Sequence, residues 1–103
     1  MEPIIYHYTD RRERPIVTVS LTKKWGKYIR GLSICSKQER LEEDKGIAKA
    51  NGRMTKAIIN KASGLPINRD EAIRLLFETD APPFKYKAEY GATLTPDEQK
   101  LVV

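Results

Sequence analysis

The stretch that decides the fold is SKQERLEEDKGIAKANGRMTKAIINKASG, residues 36–64, which has the pattern of one long amphipathic helix. Its start fits a capping box, in which the Ser36 side chain accepts the N–H of Glu39 and the Glu39 carboxylate bonds back to the cap. Gly64 offers a left-handed position that ends a helix, and Pro66 cannot continue one. Acidic residues precede basic ones, the order that the helix macrodipole favours. The sequence therefore predicts a helix over 36–64.

The predicted helix has an apolar face and a basic face. At about 100° per residue, one set of side chains falls within roughly 140° and forms the stripe expected to face the core. These residues are Leu41, Ile47, Ala48, Met54, Thr55, Ile58, Ile59 and Ala62. A row of cations falls within roughly 80° on another side and offers contacts to phosphates. The row consists of Lys45, Lys49, Arg53 and Lys56, and the alternative is that it is only a solvated face.

Three residues weaken the interior of this helix. Gly46, Asn51 and Gly52 are poor helix formers, and a glycine costs about 1 kcal/mol relative to alanine. One interpretation is a kink or break at Asn51-Gly52. Gly52 lies beside the apolar stripe, so the other is that its small size lets a strand or helix approach closely. We prefer a single helix, kinked or not.

Length and composition are those of one small globular domain. The 103 residues are too few for two cores, so we expect a single domain over 1–103. No apolar run reaches 18 residues and there is no signal-peptide pattern, so we expect neither membrane insertion nor secretion. The single cysteine, Cys35, cannot form an internal disulfide, which fits a reducing cytoplasm. Its place on an apolar strand favours packing over reactivity.

Basic residues are concentrated in the first two thirds of the chain. Residues 1–63 carry 14 Lys and Arg against 7 Asp and Glu, whereas residues 64–103 carry 5 against 7. This asymmetry indicates a polyanionic partner, either a nucleic acid or the acidic surface of another protein.

Residues 15–35 have the alternating pattern of a β-hairpin. Val17, Val19 and Leu21 share one face of a strand that we expect to be half-buried, and a turn containing Gly26 leads to a second strand. A short apolar run at 3–8 predicts another strand, at the edge of a sheet.

The hairpin loop is the second candidate binding element. It places Trp25 among Lys23, Lys24 and Lys27. An aromatic ring among cations is the combination that proteins use to bind single-stranded nucleic acids. The alternative is that Trp25 folds back on the hairpin and the lysines only keep it soluble.

Three further elements are predicted after the long helix. Asn68 begins a short helix that ends near Thr79, and Thr95 begins a final helical turn. The apolar stripe of the short helix comprises Ala72, Ile73, Leu76 and Phe77. Between them, residues 84–90 alternate as a strand, and we favour core packing over base stacking for its aromatic face. That face holds Phe84, Tyr86, Ala88 and Tyr90, and we expect the final turn to dock by Leu101 and Val102.

Residues that could carry catalysis or hold a metal are sparse. The single histidine, His7, has no cysteine or serine partner in a recognisable motif. Glu42, Glu43 and Asp44 are consecutive on a helix and point in different directions, so they do not converge on a cation. No glycine-rich phosphate loop is present. We therefore predict a protein that is not an enzyme, with no catalytic residues, no metal and no cofactor.

Two segments of the chain carry a pattern: Gly31-Leu32-Ser33-Ile34-Cys35-Ser36, and the sequence KGIAKANGR at 45–53 followed by Lys56-Ala57-Ile58. In these segments the chain resembles small accessory proteins encoded by bacteriophages. The resemblance covers roughly a quarter of the chain. It implies a hairpin followed by a helix and a location in the cytoplasm of a bacterial host cell. Most of those proteins have no assigned function, so the resemblance implies no functional residues.

These patterns together predict an α+β domain, in which a β-hairpin packs on a long amphipathic helix and a C-terminal helix, short strand and terminal helical turn complete it. The predicted function is that of a phage-type accessory or regulatory factor that binds nucleic acid without catalysis. The residues expected to bind are Lys23, Lys24, Trp25, Lys27, Lys45, Lys49, Arg53 and Lys56. The alternative is a phage effector that binds and modulates a host protein, such as a nucleic-acid enzyme or a defence factor. A homo-oligomer is compatible with either function.

Overall fold

The computed structural model describes residues 2–35 and 42–102. This part of the chain contains the strands β1 (Ile4–Thr9), β2 (Pro15–Lys24), β3 (Lys27–Ile34), β4 (Gly64–Pro66) and β5 (Tyr86–Tyr90). Its helices are α1 (Glu43–Asn60), α2 (Arg69–Glu78) and α3 (Pro96–Leu101). The strands form one antiparallel sheet in the order β1-β2-β3-β5-β4. The predicted α+β fold is confirmed, and so is the prediction that β1 lies at an edge, whereas β4 was not predicted.

The hairpin of β2 and β3 turns through two residues, Trp25 and Gly26. Both are left-handed, with φ angles of 52° and 75°, as a type I′ turn requires. The prediction of a half-buried β2 is wrong, because Thr18 and Ser20 are as fully buried as Val17 and Val19. The reason is that other elements cover both faces of the hairpin. Alternation in the sequence shows which face is apolar and which is polar, but it does not show whether the polar face is covered.

A hydrophobic cluster lies on each face of the sheet. On one face, Val19 and Leu32 pack with residues from β1, α2 and the segment before β5, which include Tyr8, Leu75 and Phe84. On the other face, Ile29 packs with Met54 and Ala57 of α1 and with Ala88 of β5. The residues predicted to share one aromatic face over 84–90 therefore lie on both sides of the sheet, with Phe84 in the first cluster and Ala88 in the second. Phe84 precedes the strand, which begins only at Tyr86, and its ring lies 6.0 Å from that of Tyr8.

Helix α1 crosses the hairpin at Gly31. A Cβ atom at Gly31 would lie 2.0 Å from the Ala50 carbonyl oxygen and 2.5 Å from the Met54 nitrogen, so only glycine permits this approach. The alternative that Gly52 permits a close approach is wrong, because nothing lies within 4 Å of a Cβ there. Instead, Gly46 faces the Thr18 hydroxyl. The helix continues through the two residues at which a break was considered.

The predicted apolar stripe of α1 is partly wrong. The buried residues of α1 are Ala50, Met54 and Ala57, of which only Met54 belongs to the predicted stripe. Ile59 is 74% exposed, and the other exposed members of that stripe are Ala48, Thr55 and Ala62. Close packing against the sheet selects the small side chains of the helix, whereas hydrophobicity alone selects the large ones. Leu41 lies outside the described residues.

The predicted end of α1 is also wrong. The left-handed residue after the helix is Lys61, with a φ of 49°, and the Ala62 N–H closes the end by bonding to the Ala57 carbonyl at 3.3 Å. Gly64 is instead the first residue of β4, where it pairs with Ala88. The predicted start of the helix is wrong as well, because Glu42 is its N-cap, with an extended backbone (φ −122°, ψ 112°), and the first helical residue is Glu43. The predicted capping box at residues 36–39 lies outside the described residues.

Both C-terminal helices begin at the predicted residues, Asn68 and Thr95, and each start is a capping box. Their predicted packing is wrong. The buried residue of α2 is Leu75, while the predicted stripe is exposed, with Ala72 at the surface and Ile73, Leu76 and Phe77 exposed by 43%, 75% and 72%. In α3, Leu101 is 45% exposed and Val102 is half-buried, and the helix docks through Glu98, which is fully buried. The buried Glu98 carboxylate accepts hydrogen bonds from Arg30, which connects α3 to the sheet.

Candidate nucleic-acid interface

The turn of the hairpin displays an aromatic ring among cations. Trp25 is 60% exposed, so it does not fold back into the core. The Lys24 ammonium lies 5.7 Å from the centre of the indole ring, and the Lys61 ammonium lies 5.0 Å from it. At these distances the quadrupole of the indole attracts both ammonium groups. The indole ring therefore lies at the surface between two cations, one from the end of β2 and one from the residue after α1.

Lys61 comes to this place from the end of α1. The helix follows the hairpin and runs back along it, from Gly46 beside Thr18 towards the turn. Lys61, the residue that follows the helix, consequently lies at the hairpin tip. Lys61 was not among the residues predicted to bind, although this order of elements could have indicated it. A lysine also suits a helix C-terminus, because its charge offsets the partial negative charge there.

Two further lysines lie over tyrosine rings near the turn. The Lys23 ammonium is 5.2 Å from the ring centre of Tyr28, and the Lys27 ammonium is 5.5 Å from that of Tyr90. We call the set of Lys23, Lys24, Trp25, Lys27 and Lys61 the tip surface. No Asp or Glu occurs in residues 15–35 or 45–69, the segments that supply it. The potential of the tip surface is therefore positive.

Only part of the cation row of α1 is exposed and able to contact a ligand. The Lys45 side chain is 73% exposed and lies 3.3 Å from the Glu42 carboxylate, and Lys49 and Lys56 are exposed. Arg53 is half-buried and donates a hydrogen bond of 2.7 Å to the Leu32 carbonyl oxygen, so it holds the helix to β3. At 1.5 Å per residue, Lys45 lies about 24 Å along the axis from Lys61. The row therefore extends away from the tip surface instead of adding to one compact patch.

The strongest polar cluster was not predicted from the sequence and lies inside the protein. Arg30 is 3% exposed and makes two hydrogen bonds to the Glu98 carboxylate, through Nε at 2.9 Å and through Nη2. Arg30 also donates to the Glu89 carboxylate at 2.9 Å and to the Thr93 carbonyl at 2.7 Å. The Tyr6 hydroxyl donates to Glu98 at 2.8 Å. This network joins β1, β3, β5 and α3, and it is enclosed by the fold.

The hydrogen bonds and charges within the cluster favour the ionised forms of Glu98 and Arg30. Burial raises the pKa of Glu98, but the hydrogen bonds from Arg30 and from the Thr95 N–H outweigh it and hold that pKa below its ordinary value of 4.5. Burial lowers the pKa of Arg30, and the hydrogen bond and charge of Glu98 reverse this and raise it. The buried charges of Arg30 and Glu98 are therefore paired with each other and hydrogen-bonded to further groups.

The stability of the protein should therefore depend on the ionisation of Glu98 in acid. Because the pKa of Glu98 is lower in the folded chain than in the unfolded chain, its contribution is complete above the unfolded pKa and is lost as the pH falls through the folded pKa. Urea unfolding followed by circular dichroism from neutral to acidic pH measures this. We expect the stability of the Glu98→Gln variant to fall less steeply below the ordinary pKa. Parallel curves for both proteins would contradict the prediction.

The single histidine, His7, lies between a hydroxyl and a carboxylate. His7 bonds through Nδ1 to the Thr18 hydroxyl at 3.0 Å, and its Nε2 lies 3.4 Å from the Glu43 carboxylate. Within residues 2–35 and 42–102, no group of three or more His, Cys, Asp or Glu side chains could hold a metal ion. Over the same residues, no helix is both long enough and apolar enough to span a membrane.

Comparison with known proteins adds no relative. No family model matches the chain, and no curated protein or solved structure matches it either. The functional proposal therefore rests on the fold and on the geometry of the tip surface.

Proposed function

We propose that this chain is a non-enzymatic nucleic-acid-binding protein that holds a single strand at the tip surface. The observation that carries the proposal is the exposed indole of Trp25 with the ammonium groups of Lys24 and Lys61 beside it. An unstacked base can lie on the indole while the lysines contact the phosphates on either side of it. A base inside a duplex has no free face for such a ring, so the geometry favours single strands.

The charge of the surrounding surface supports the same proposal. Phosphates near the tip meet four lysines, which outweigh the half charge at the C-terminus of α1. From Lys61 at the tip, the cations of α1 continue towards the start of the helix. Lys56 comes first, more than one helical turn away, and Lys49 and Lys45 come after it. A strand that continues along α1 would meet these cations in turn. The resemblance of residues 31–36, 45–53 and 56–58 to phage proteins supports the role of an accessory or regulatory factor in the cytoplasm of a bacterial host.

The Trp25→Asn variant tests the stacking contact. Asn-Gly is a preferred pair for a type I′ turn, so the variant removes the ring without weakening the hairpin. We expect its affinity for a labelled oligonucleotide to fall by about 5 to 150 fold, which corresponds to about 1–3 kcal/mol for one stacked base. Fluorescence anisotropy measures the affinity, and Trp25→Tyr, which keeps a ring, is the matched control. The same affinity for the asparagine and tyrosine variants would contradict the stacking.

The lysines of the tip surface are tested by salt dependence. We expect Lys23→Gln combined with Lys27→Gln to reduce the slope of log affinity against log salt by about 0.7 for each phosphate that the variant no longer neutralises. Lys85→Gln is the control, because Lys85 is exposed and precedes β5 at the end of the sheet away from the turn. Absence of binding to any DNA or RNA at about 50 mM salt would overturn the proposed function.

A protein with an acidic surface is the second candidate partner. The specific observation is that the tip surface projects an exposed tryptophan, the residue type most enriched in the energetic centres of protein interfaces. The host-protein effector is therefore the alternative proposal. A pull-down from bacterial lysate treated with nuclease separates the two, since a protein partner remains bound and a partner bridged by nucleic acid is lost. The Trp25→Asn variant should lose the partner in either case.

A further inference from the structure

The hairpin of β2 and β3 extends further than the strands on either side of it. Strand β1 pairs with β2 only as far as Leu21, and β5 pairs with β3 only as far as Ile29. Beyond both points, two more pairs of the hairpin precede the turn, Lys23 with Tyr28 and Lys24 with Lys27. We call residues 23–28 the ribbon. Its residues 23–27 are exposed and Tyr28 is half-buried.

The ribbon carries lysines on both faces of the sheet. Paired residues of antiparallel strands share a face, and successive residues alternate between the faces. Lys24 and Lys27 are a pair on the face that α1 covers, since the Lys27 ammonium lies 5.5 Å from the ring centre of Tyr90, which packs against the cluster of that face. Lys23 therefore projects from the opposite face, where its ammonium lies 5.2 Å from the ring centre of Tyr28.

The two faces differ in their relation to Trp25. The indole lies between Lys24 and Lys61, so a single strand that stacks on it runs along the α1 face. That strand does not reach Lys23 on the opposite face. Residues 15–35 contain no Asp or Glu that would offset this charge within the hairpin. Lys23 is therefore placed to neutralise a phosphate of a second strand.

A fork, at which a duplex opens into two single strands, has the matching form. It supplies one strand for each face of the ribbon. The last base pair of its duplex also has one free face, on which an aromatic ring can stack. Base pairs within a continuous duplex have no free face, and a lone single strand occupies only one face of the ribbon. The lysines on both faces and the ring at the turn thus favour the fork over the other forms.

We propose that the tip surface binds a nucleic-acid fork, with one single strand on each face of the ribbon and the Trp25 indole stacked on the last base pair. Because the ribbon then lies between the two strands, they cannot pair again while the protein is bound. The inference rests on the proposed function, since it names the form of nucleic acid that the same surface binds.

Fluorescence anisotropy with three labelled DNAs tests the preference for a fork. They are a fork with two single-stranded arms, a single strand with as many nucleotides as the two arms together, and a blunt duplex. We expect the fork to bind about tenfold more tightly than either of the others, as one further stacked base or phosphate contact would give. A single strand that binds as tightly as the fork overturns the inference and leaves the proposed function standing. A blunt duplex that does so overturns the inference as well, and absence of binding to these DNAs and to their RNA equivalents overturns both.

Two neighbouring lysines test the assignment of one strand to each face. We expect Lys23→Gln to lower the affinity for the fork about fivefold more than the affinity for the single strand, because its contact lies on the second face. Lys24→Gln is the matched control, since Lys24 is also exposed and also lies in β2, and it should lower both affinities by the same factor. Equal effects of Lys23→Gln on the fork and on the single strand overturn the inference.

Discussion

Replacing Glu98 by alanine is expected to lower the free energy of unfolding by about 3 to 5 kcal/mol. The guanidinium of Arg30 is 3% exposed and takes both oxygens of the Glu98 carboxylate, so the variant leaves a buried charge with only Glu89 and the Thr93 carbonyl as partners. It also removes the reciprocal half of the capping box that begins α3. Urea unfolding at neutral pH, followed by circular dichroism, measures the change.

Two comparisons separate the buried charge from a general effect on α3. Gln99→Ala changes an exposed neighbour on the same helix, and we expect a change within about 0.5 kcal/mol. Replacing both partners, with Arg30→Met and Glu98→Leu together, should cost less than Glu98→Ala alone, because no fully buried charge remains and Glu89, which loses its partner, has a side chain 23% exposed to solvent. If Glu98→Ala costs under about 1 kcal/mol, the ion pair does not hold α3 to the sheet.

Replacing Gly31 by alanine is expected to cost about 3 kcal/mol or more, at or beyond the upper end of ordinary overpacking. The added methyl group would meet the Ala50 carbonyl oxygen at 2.0 Å and the Met54 nitrogen at 2.5 Å. These are backbone atoms of α1, so no side chain can rotate away, and the whole helix must shift from the hairpin. Thermal and urea unfolding measure the loss.

A second glycine provides the matched control. Gly52 lies in α1 with nothing within 4 Å of an added Cβ, so Gly52→Ala should raise stability by about 1 kcal/mol through helix propensity. The same substitution therefore has opposite signs at the two positions. Gly31→Ala as stable as the wild type would contradict the close approach of α1 to β3.

The sequence predicted those parts of the fold that depend on residues close together in the chain. The hairpin follows from alternation and from Gly26, and α2 and α3 begin at Asn68 and Thr95 because a capping box involves only four consecutive residues. The faces of the helices were not predictable in this way. Hydrophobicity favoured Ile59 and Leu76 for the core, whereas the packed positions are Ala50, Ala57 and Leu75.

The candidate site was also predictable only where its residues lie close together in the chain. The turn residues from Lys23 to Lys27 are contiguous, so the sequence alone brought Trp25 and its lysines together as a hypothesis. Lys61 joins them only because α1 runs back along the hairpin to its tip. In the same way, Arg53 was predicted to contact phosphates, yet its guanidinium bonds to the Leu32 carbonyl. Position on a helix does not reveal which long side chain is needed for packing.

The presence of the long helix, the hairpin and the starts of α2 and α3 were determined by the sequence itself, because turn geometry, capping and periodicity act over a few residues. The close contact of α1 with Gly31, the burial of Arg30 with Glu98 and the exposure of the apolar face of α2 were decided only by the tertiary structure. Arg30 and Glu98 lie 68 residues apart, and no local pattern relates them. Their pairing follows from the way β3 and α3 meet at the sheet. Because burial excludes water from both charges, each needs the other as a partner of opposite charge.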